Sequence, residues 1–241
     1  MATHTRFMCA QGLLAMLCLA AGAAADYVHI EGGGMEYSLS AGQIPGVLSG
    51  DDHVFAMSDL ELIAATLNGD GVDTVGHLSF LVASTDAGFS MIGLFDGVGQ
   101  AGSTGSPDSA LGIATVTSSG SDWFAGGDQS SQIQWQDMGN GTQLVAALLG
   151  WEHGQTSAGV AWGDLIESST GTVNLYEEEM TLIGGEPVQF LSYEDGAWSV
   201  IGQAAFTALG QYAFSYQYIP APGTLALLLV AGVATHRRRR C

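Results

Sequence analysis

Three polar residues in one short segment have the residue types and spacing of calcium ligands. Asn68, Asp70 and Asp73 lie in the sequence LNGDGVD, and Ca²⁺ prefers carboxylate and amide oxygens. When the segment is aligned on Gly71 as the turn glycine of an EF-hand, threonine and histidine occupy the first and twelfth ligand positions, so it is not an EF-hand. The pattern predicts either a weak Ca²⁺ site at these three residues or an Asx-rich turn.

Candidate catalytic residues are scattered along the chain. The nearest approach to an acid–base cluster is GWEHG, which contains Glu152 and His153, with Asp164 further on. No G-x-S-x-G nucleophile motif occurs. Two carboxylates could still perform glycoside hydrolysis, which leaves an extracellular polysaccharide hydrolase as a third function. We predict a protein that is not an enzyme, with no catalytic residue and no cofactor other than the Ca²⁺ considered above.

Five tryptophans are enough either to form a sugar-stacking face or to fill a core. They are Trp123, Trp135, Trp151, Trp162 and Trp198. The first arrangement would suit a carbohydrate-binding module, with or without calcium. The second would make these residues purely structural.

The charge is distributed very unevenly. All 24 acidic residues lie between Asp26 and Asp195. The five basic residues are Arg6, Arg237, Arg238, Arg239 and Arg240. The segment 26–219 therefore has all 24 acids and none of the basic residues, a formal charge of −24. Such a segment cannot neutralise phosphates, so nucleic acid is excluded as a partner. Salt or divalent cations should relieve its self-repulsion.

The first 25 residues have the parts of a secretory signal. Arg6 supplies a positive charge, residues 7–19 are largely apolar, and Ala23 and Ala25 form a small-x-small cleavage site. We predict a signal peptide over residues 1–25, removed by signal peptidase, and export of the chain that follows.

The other end of the chain is a short apolar segment followed by the four arginines. Residues 219–235 would form a helix of about 25 Å, against a bilayer core of about 30 Å. This length predicts a marginal transmembrane helix that is inserted transiently. The arginines would hold its end on the cytoplasmic side.

The order of these parts resembles the PEP-CTERM sorting signal of exported bacterial proteins. Pro220 and Pro222 match its two prolines, with Ala221 where the family has glutamate. Its basic stop is matched by Arg237, Arg238, Arg239 and Arg240. The resemblance covers residues 219–241 together with the need for a signal peptide. It implies processing by an exosortase-like enzyme and a final location at the cell surface or in extracellular polysaccharide.

Between the two ends, short segments alternate apolar and polar residues and are separated by turn pairs such as Asn140-Gly141. In QYAFSYQYI, Tyr212, Phe214, Tyr216 and Tyr218 would share one face. We predict an all-β fold of around ten strands, a single jelly-roll-like β-sandwich over residues 26–218. Within it, SDLELIAATL has the spacing of a short helix capped by Ser58, and TQLVAALLGW favours a strand.

These observations favour an exported, surface- or exopolysaccharide-associated protein with a structural or adhesive role. The alternative is a carbohydrate- or Ca²⁺-binding module in the same location.

Overall fold

The alternation of apolar and polar residues gives rise to strands along most of the middle of the chain. A computed structural model describes residues 26–49, 54–98, 109–118, 122–126, 132–151, 157–163, 165, 170–178, 182 and 184–220. The elements within these residues are β1 (Tyr27–Gly32), β2 (Met35–Ser40), β3 (Gly42–Gln43), α1 (Met57–Gly69), β4 (His77–Thr85), β5 (Gly88–Asp96), β6 (Ser109–Ser118), β7 (Asp122–Gly126), β8 (Gln132–Asp137), β9 (Thr142–Trp151), β10 (Ala158–Gly163), β11 (Thr170–Glu178), β12 (Val188–Glu194), β13 (Ala197–Ala204) and β14 (Gln211–Ile219).

The predicted signal peptide and the predicted sorting segment fall almost entirely outside the described residues. The signal peptide, with its cleavage site at Ala23 and Ala25, precedes the first described residue, Asp26. Of the sorting segment, only positions 219 and 220 are described. The basic stop lies beyond them, at Arg237, Arg238, Arg239 and Arg240. The signal peptide and the sorting signal therefore stay predictions from sequence.

The strands form two sheets that face each other. Sheet A has the order β2-β1-β14-β11-β6-β9-β8, and sheet B has the order β13-β12-β4-β5-β10-β7, with β3 also beside β4. Only β12 with β4 and β3 with β4 are parallel among the described strand pairs. The first and last strands are neighbours, because β14 lies between β1 and β11 with Tyr27 opposite Ile219. The predicted all-β sandwich is confirmed, with more strands than the sequence indicated.

Aromatic side chains fill the space between the sheets. Phe80 of sheet B packs edge-on against Phe214 of sheet A, with ring centroids 5.0 Å apart. Trp162 and Tyr216 also meet across the sandwich, at 5.6 Å. The four predicted inward residues of β14 are all buried, as its alternating burial shows. Because aromatic residues bury the most area per side chain, this row is a main source of sandwich stability.

Strands β4 and β10 of sheet B are buried on both faces, unlike the strands of sheet A. The first seven residues of β4 are all buried, and so are all six of β10. A second apolar cluster covers the outer face of sheet B. It is built from Ile44, Val47, Leu48 and Phe55, and from Leu60, Ile63 and Leu67 of α1. A strand that is covered on both sides needs apolar residues at consecutive positions, which explains the unbroken runs in β4 and β10.

Helix α1 confirms the helical spacing of SDLELIAATL, but its predicted cap is wrong. The N-cap residue is Ala56, which makes no side-chain capping bond. Ser58 lies inside the first turn instead, because the amides of Asp59 and Leu60 already donate to the Ala56 carbonyl. Asp59 supplies the negative charge that favours a helix N-terminus, and its Oδ2 accepts the Leu48 amide at 3.0 Å. Within the described residues, no helix is long and apolar enough to cross a membrane.

Two glycines accept aromatic rings against the backbone. A Cβ on Gly42 would collide with the indole of Trp198, and a Cβ on Gly202 would collide with the ring of Tyr37. Tyr37 stacks on Phe190 with ring centroids 5.4 Å apart, so edge strand β2 of sheet A is held against sheet B. These glycines are therefore fixed by close packing and not by turn geometry.

Tyr212 is a buried tyrosine whose hydroxyl has no hydrogen-bond partner among the described residues. Burial, with a smaller contribution from Tyr37, raises the pKa of Tyr212 from 10.0 to about 12. The unfolded chain therefore loses this proton at lower pH than the native protein does. The contribution of Tyr212 to stability is fully present below pH 10 and is lost as the pH rises towards about 12.

We expect Tyr212→Phe to leave the free energy of unfolding at pH 7 unchanged or slightly higher, because no hydrogen bond is lost. Above pH 10 the variant should be increasingly more stable than the wild type, since phenylalanine cannot ionise in the unfolded chain. Urea unfolding at a series of pH values measures both. Tyr176→Phe, at a half-exposed position, is the control and should follow the wild type. A destabilised Tyr212→Phe at pH 7 would contradict the assignment of an unpaired hydroxyl.

Candidate functional site

A polar groove lies where the end of α1 meets strands β12 and β13. Its volume is about 350 Å³, and its polar lining is Asp70, Asp73, His77, Gln189, Ser199 and Gln203. We call it the helix-end groove. It brings together two of the three predicted calcium ligands, Asp70 and Asp73. The third, Asn68, is exposed on the last turn of α1 and does not line the groove.

Both aspartates of the helix-end groove bind backbone amides. Asp70 is the C-cap residue of α1, and its Oδ2 accepts the Trp198 amide of β13 at 2.8 Å. Oδ1 of Asp73 accepts the Val75 amide at 3.1 Å, which forms an Asx turn. Each carboxylate thus stabilises local backbone. The first also ties the helix end to sheet B.

Gln189 and His77 of the groove are also engaged. The Gln189 amide nitrogen donates to the Asp73 carbonyl at 3.0 Å and to Ser79 Oγ at 2.7 Å. The His77 ring lies 3.3 Å, through Nδ1, from the Pro187 carbonyl oxygen. In the part of the chain that the structure describes, no three His, Cys, Asp or Glu side chains are grouped so that they could hold a metal ion. The geometry of this groove favours structural bonding.

Beside this groove, Asp96 at the end of β5 accepts hydrogen bonds from two hydroxyls. The sequence patterns did not identify this cluster. Its Oδ2 accepts Thr74 Oγ1 at 2.7 Å and its Oδ1 accepts Ser157 Oγ at 2.9 Å. His77 is the cross-strand partner of Asp96, so the residue types of a catalytic triad are present. A triad requires histidine between serine and aspartate, whereas here the serine bonds the aspartate directly. The arrangement ties three segments together and does not activate a nucleophile.

The outer face of sheet A has a different character. Three rows of cross-strand neighbours, each running over β8, β9, β6, β11 and β14, contain no charged residue. We call these three rows the neutral face. The first row is Gln132, Leu148, Gly112, Tyr176 and Gln211, the second is Gln134, Ala146, Ala114, Asn174 and Ala213, and the third is Gln136, Leu144, Val116, Thr172 and Ser215. A segment with 24 acids and no basic residue thus presents one broad uncharged surface. Local sequence patterns do not reveal this surface, because it depends on the order in which the strands pair.

A shallow groove of about 340 Å³ crosses the neutral face. Its floor is made of small residues, Gly112, Ala114 and Ala146, and its borders include Gln134, Leu148 and Tyr176. The Tyr176 side chain is 46% exposed and that of Leu148 50% exposed. An open aromatic ring next to amide groups can stack on an uncharged, hydroxyl-bearing ring and hydrogen-bond it.

The tryptophans do not form one sugar-stacking face. Trp162 and Trp198 are buried in the two apolar clusters, whereas Trp135 is 50% exposed. Trp135 lies opposite buried Val145, so it belongs to the inner face of edge strand β8 and not to the face that carries Tyr176. The side chains of Trp123 and Trp151 lie outside the described part of the chain.

Several other predicted site residues also lie outside the described residues. They belong to the candidate acid–base cluster and to the sorting motif beyond Pro220. These residues are Glu152, His153, Asp164, Ala221, Pro222, Arg237, Arg238, Arg239 and Arg240.

Comparisons with protein-family models, curated proteins and solved structures found no match to this chain.

We expect NaCl, MgCl₂ and CaCl₂ at equal ionic strength to raise the melting temperature to similar extents, because each screens the repulsion among the 24 carboxylates. Asp73→Asn should leave that response unchanged, as should Asp195→Asn, the control in an exposed turn. Thermal unfolding with each salt measures this. A larger rise with Ca²⁺ that only Asp73→Asn abolishes would instead establish a calcium site in the helix-end groove.

Proposed function

We propose that this protein is an exported, non-enzymatic component of a bacterial cell surface or extracellular polysaccharide, with a structural or adhesive role. The observation that carries the proposal is the separation of charge along the chain. All the acidic residues lie within residues 26–195, whereas the cluster Arg237 to Arg240 follows the Pro-Ala-Pro motif and a short apolar segment. A basic stop behind a marginal helix suits a temporary membrane anchor. Signal peptidase and an exosortase-like enzyme would process the two ends.

The described side chains support a structural role for the sandwich. Three of its candidate chemical groups, Asp70, Asp96 and His77, have bonding partners in distant segments, and Asp73 stabilises a local turn. A fold that uses its polar groups for internal hydrogen bonds is suited to be a stable scaffold that presents its outer surfaces to other molecules. The neutral face is the surface on which such a protein would be contacted by neutral material around it.

A second function, binding of an uncharged polysaccharide, is favoured by the groove on the neutral face. Tyr176 lies opposite Gly112 and leaves the ring open above a floor of small residues. Gln134 stands across the floor and provides both a donor and an acceptor. A charge-free groove on a segment of charge −24 selects against anionic polymers, because these would be repelled on approach.

Removal of residues 237–241 should release the protein from its normal location or leave it unprocessed, because the helix would lose its cytoplasmic stop. Cell fractionation, together with the mass of the mature chain, measures both effects. The matched control replaces Arg237, Arg238, Arg239 and Arg240 with lysines, which keeps the charge and should preserve sorting. If the truncated chain keeps the wild-type location and mass, the sorting proposal is wrong.

For the second function, Tyr176→Ala should lower retention on a neutral polysaccharide by about tenfold, the scale of one aromatic stacking contact. Tyr176→Phe keeps the ring and should bind like the wild type. Leu209→Ala, at an exposed apolar residue outside the neutral face, controls for general surface effects. Retention on a panel of neutral and acidic polysaccharides measures the change. Equal retention by Tyr176→Ala and the wild type would exclude a site at this groove.

A further inference from the structure

An open sheet edge is a template for pairing with another chain, and folded proteins normally cover or charge it. The two sheets end in four strands: β2 and β8 in sheet A, and β13 and β7 in sheet B. Three of these edges have a visible protection, whereas β8 does not.

The two edges of sheet B are covered by other segments. On β13, the Trp198 amide donates to Asp70 Oδ2, and the pairing register with β12 shifts between Phe190 and Leu191. On β7, Val54 forms a parallel bridge with Ala125, and the Phe55 amide donates to the Ala125 carbonyl at 3.1 Å. A side-chain cap, a bulge and a covering segment all prevent the addition of another strand.

The β2 edge of sheet A is charged and held to the opposite sheet. Glu36 lies directly across from Glu31 of β1, which places two carboxylates near the border. The Ser40 amide donates to Ser192 Oγ of β12 at 3.0 Å. A second copy that paired here would meet carboxylates of its own kind.

Strand β8 lacks these protections within the residues that the structure describes. It pairs with β9 alone, and its last four residues are exposed. Its sequence QIQWQD contains no lysine and no proline, and its single charge, Asp137, is at the very end. Alternate backbone groups of an antiparallel edge strand point away from its only neighbour.

The charge on the sandwich restricts which partner can approach. Two copies of a segment with charge −24 repel each other wherever carboxylates would meet. The β8 edge borders the neutral face, so two copies can meet there without opposing carboxylates. At this edge, electrostatic repulsion therefore opposes self-association less than at the β2 edge, where Glu31 and Glu36 lie opposite each other.

The β8 sequence is also complementary to itself. In an antiparallel pair centred on Gln134, Gln132 lies opposite Gln136, and Ile133 lies opposite Trp135. This register keeps glutamine with glutamine on the outer face, as in a glutamine ladder, and sets an aromatic residue against a β-branched one on the inner face. It pairs all five residues of QIQWQ and leaves Asp137 outside. A shift by one residue would place glutamine positions against the inner face.

We propose that a second copy of this chain pairs with the first through β8, antiparallel and with Gln134 on the two-fold axis. The same patch is used on both copies, so the contact closes as a dimer and joins two copies of sheet A into one continuous sheet. The inference gives the proposed structural role a partner and, for its biological meaning, depends on that role.

The test introduces a charge at the two-fold axis, in the full chain solubilised in mild detergent. Sedimentation velocity measures the fraction of dimer. The wild type should form a dimer whose fraction rises with NaCl, because salt screens the repulsion between copies. Gln134→Glu and Gln134→Lys should each weaken dimerisation by at least roughly tenfold, since like charges would face each other. An equimolar mixture of the two variants should restore the dimer.

Gln203→Glu makes the same substitution on β13, the edge strand of the other sheet, and should dimerise like the wild type. Circular dichroism should give the same β spectrum for all variants. A monomeric wild type at every salt concentration, or equal dimerisation by Gln134→Glu and Gln203→Glu, would overturn the pairing. A monomeric chain that is still sorted normally would reject the dimer and leave the proposed role intact. A chain that dimerises but is found in the wrong location would reject the proposed role and leave the dimer intact.

Discussion

The absence of lysine and arginine from residues 26–219 is the constraint on which most of the described polar structure depends. Carboxylates in this segment cannot form ordinary ion pairs with lysine or arginine, so they accept hydrogen bonds from amides and hydroxyls instead. Asp59 binds the Leu48 amide, Asp86 binds the Gly46 amide and Asp70 binds the Trp198 amide. Each bond joins segments distant in sequence. Because such bonds involve an ionised acceptor, they are stronger than neutral hydrogen bonds.

The same constraint divides the surface of the sandwich into regions with different uses. Sheet B packs one face against sheet A and the other against α1 and the side chains of Ile44, Val47, Leu48 and Phe55. Sheet A keeps its outer face for solvent, and the three rows of the neutral face contain no charged residue. The carboxylates that line the helix-end groove, by contrast, are engaged in holding the fold. The surfaces proposed for contact with other molecules therefore belong to sheet A.

The sequence predicted the fold well for strands that are buried on one face only, because their apolar and polar residues alternate with a period of two. β14 is the best example, since its four aromatic residues all face the core as expected. Buried strands such as β4 lose that alternation and can be identified only from their flanks. The cap of α1 was misplaced because a local pattern at Ser58 competed with backbone bonds to Ala56. The neutral face and the unprotected β8 edge depend on strand order, which aligns residues as distant as Gln134 and Asn174 through two intervening strands, and local patterns carry no such information.

The position of β14 also has a consequence for when the protein can fold. It is the last strand that the structure describes, yet it occupies the interior of sheet A and is hydrogen-bonded to β1. A ribosome adds about 5–20 residues per second, so β1 waits on the order of 10–40 s before its partner exists. Contacts with such large sequence separation also form slowly. Completion of the sandwich is thus delayed until residue 219 has been synthesised, and until then the chain carries open strand edges that a chaperone would have to shield.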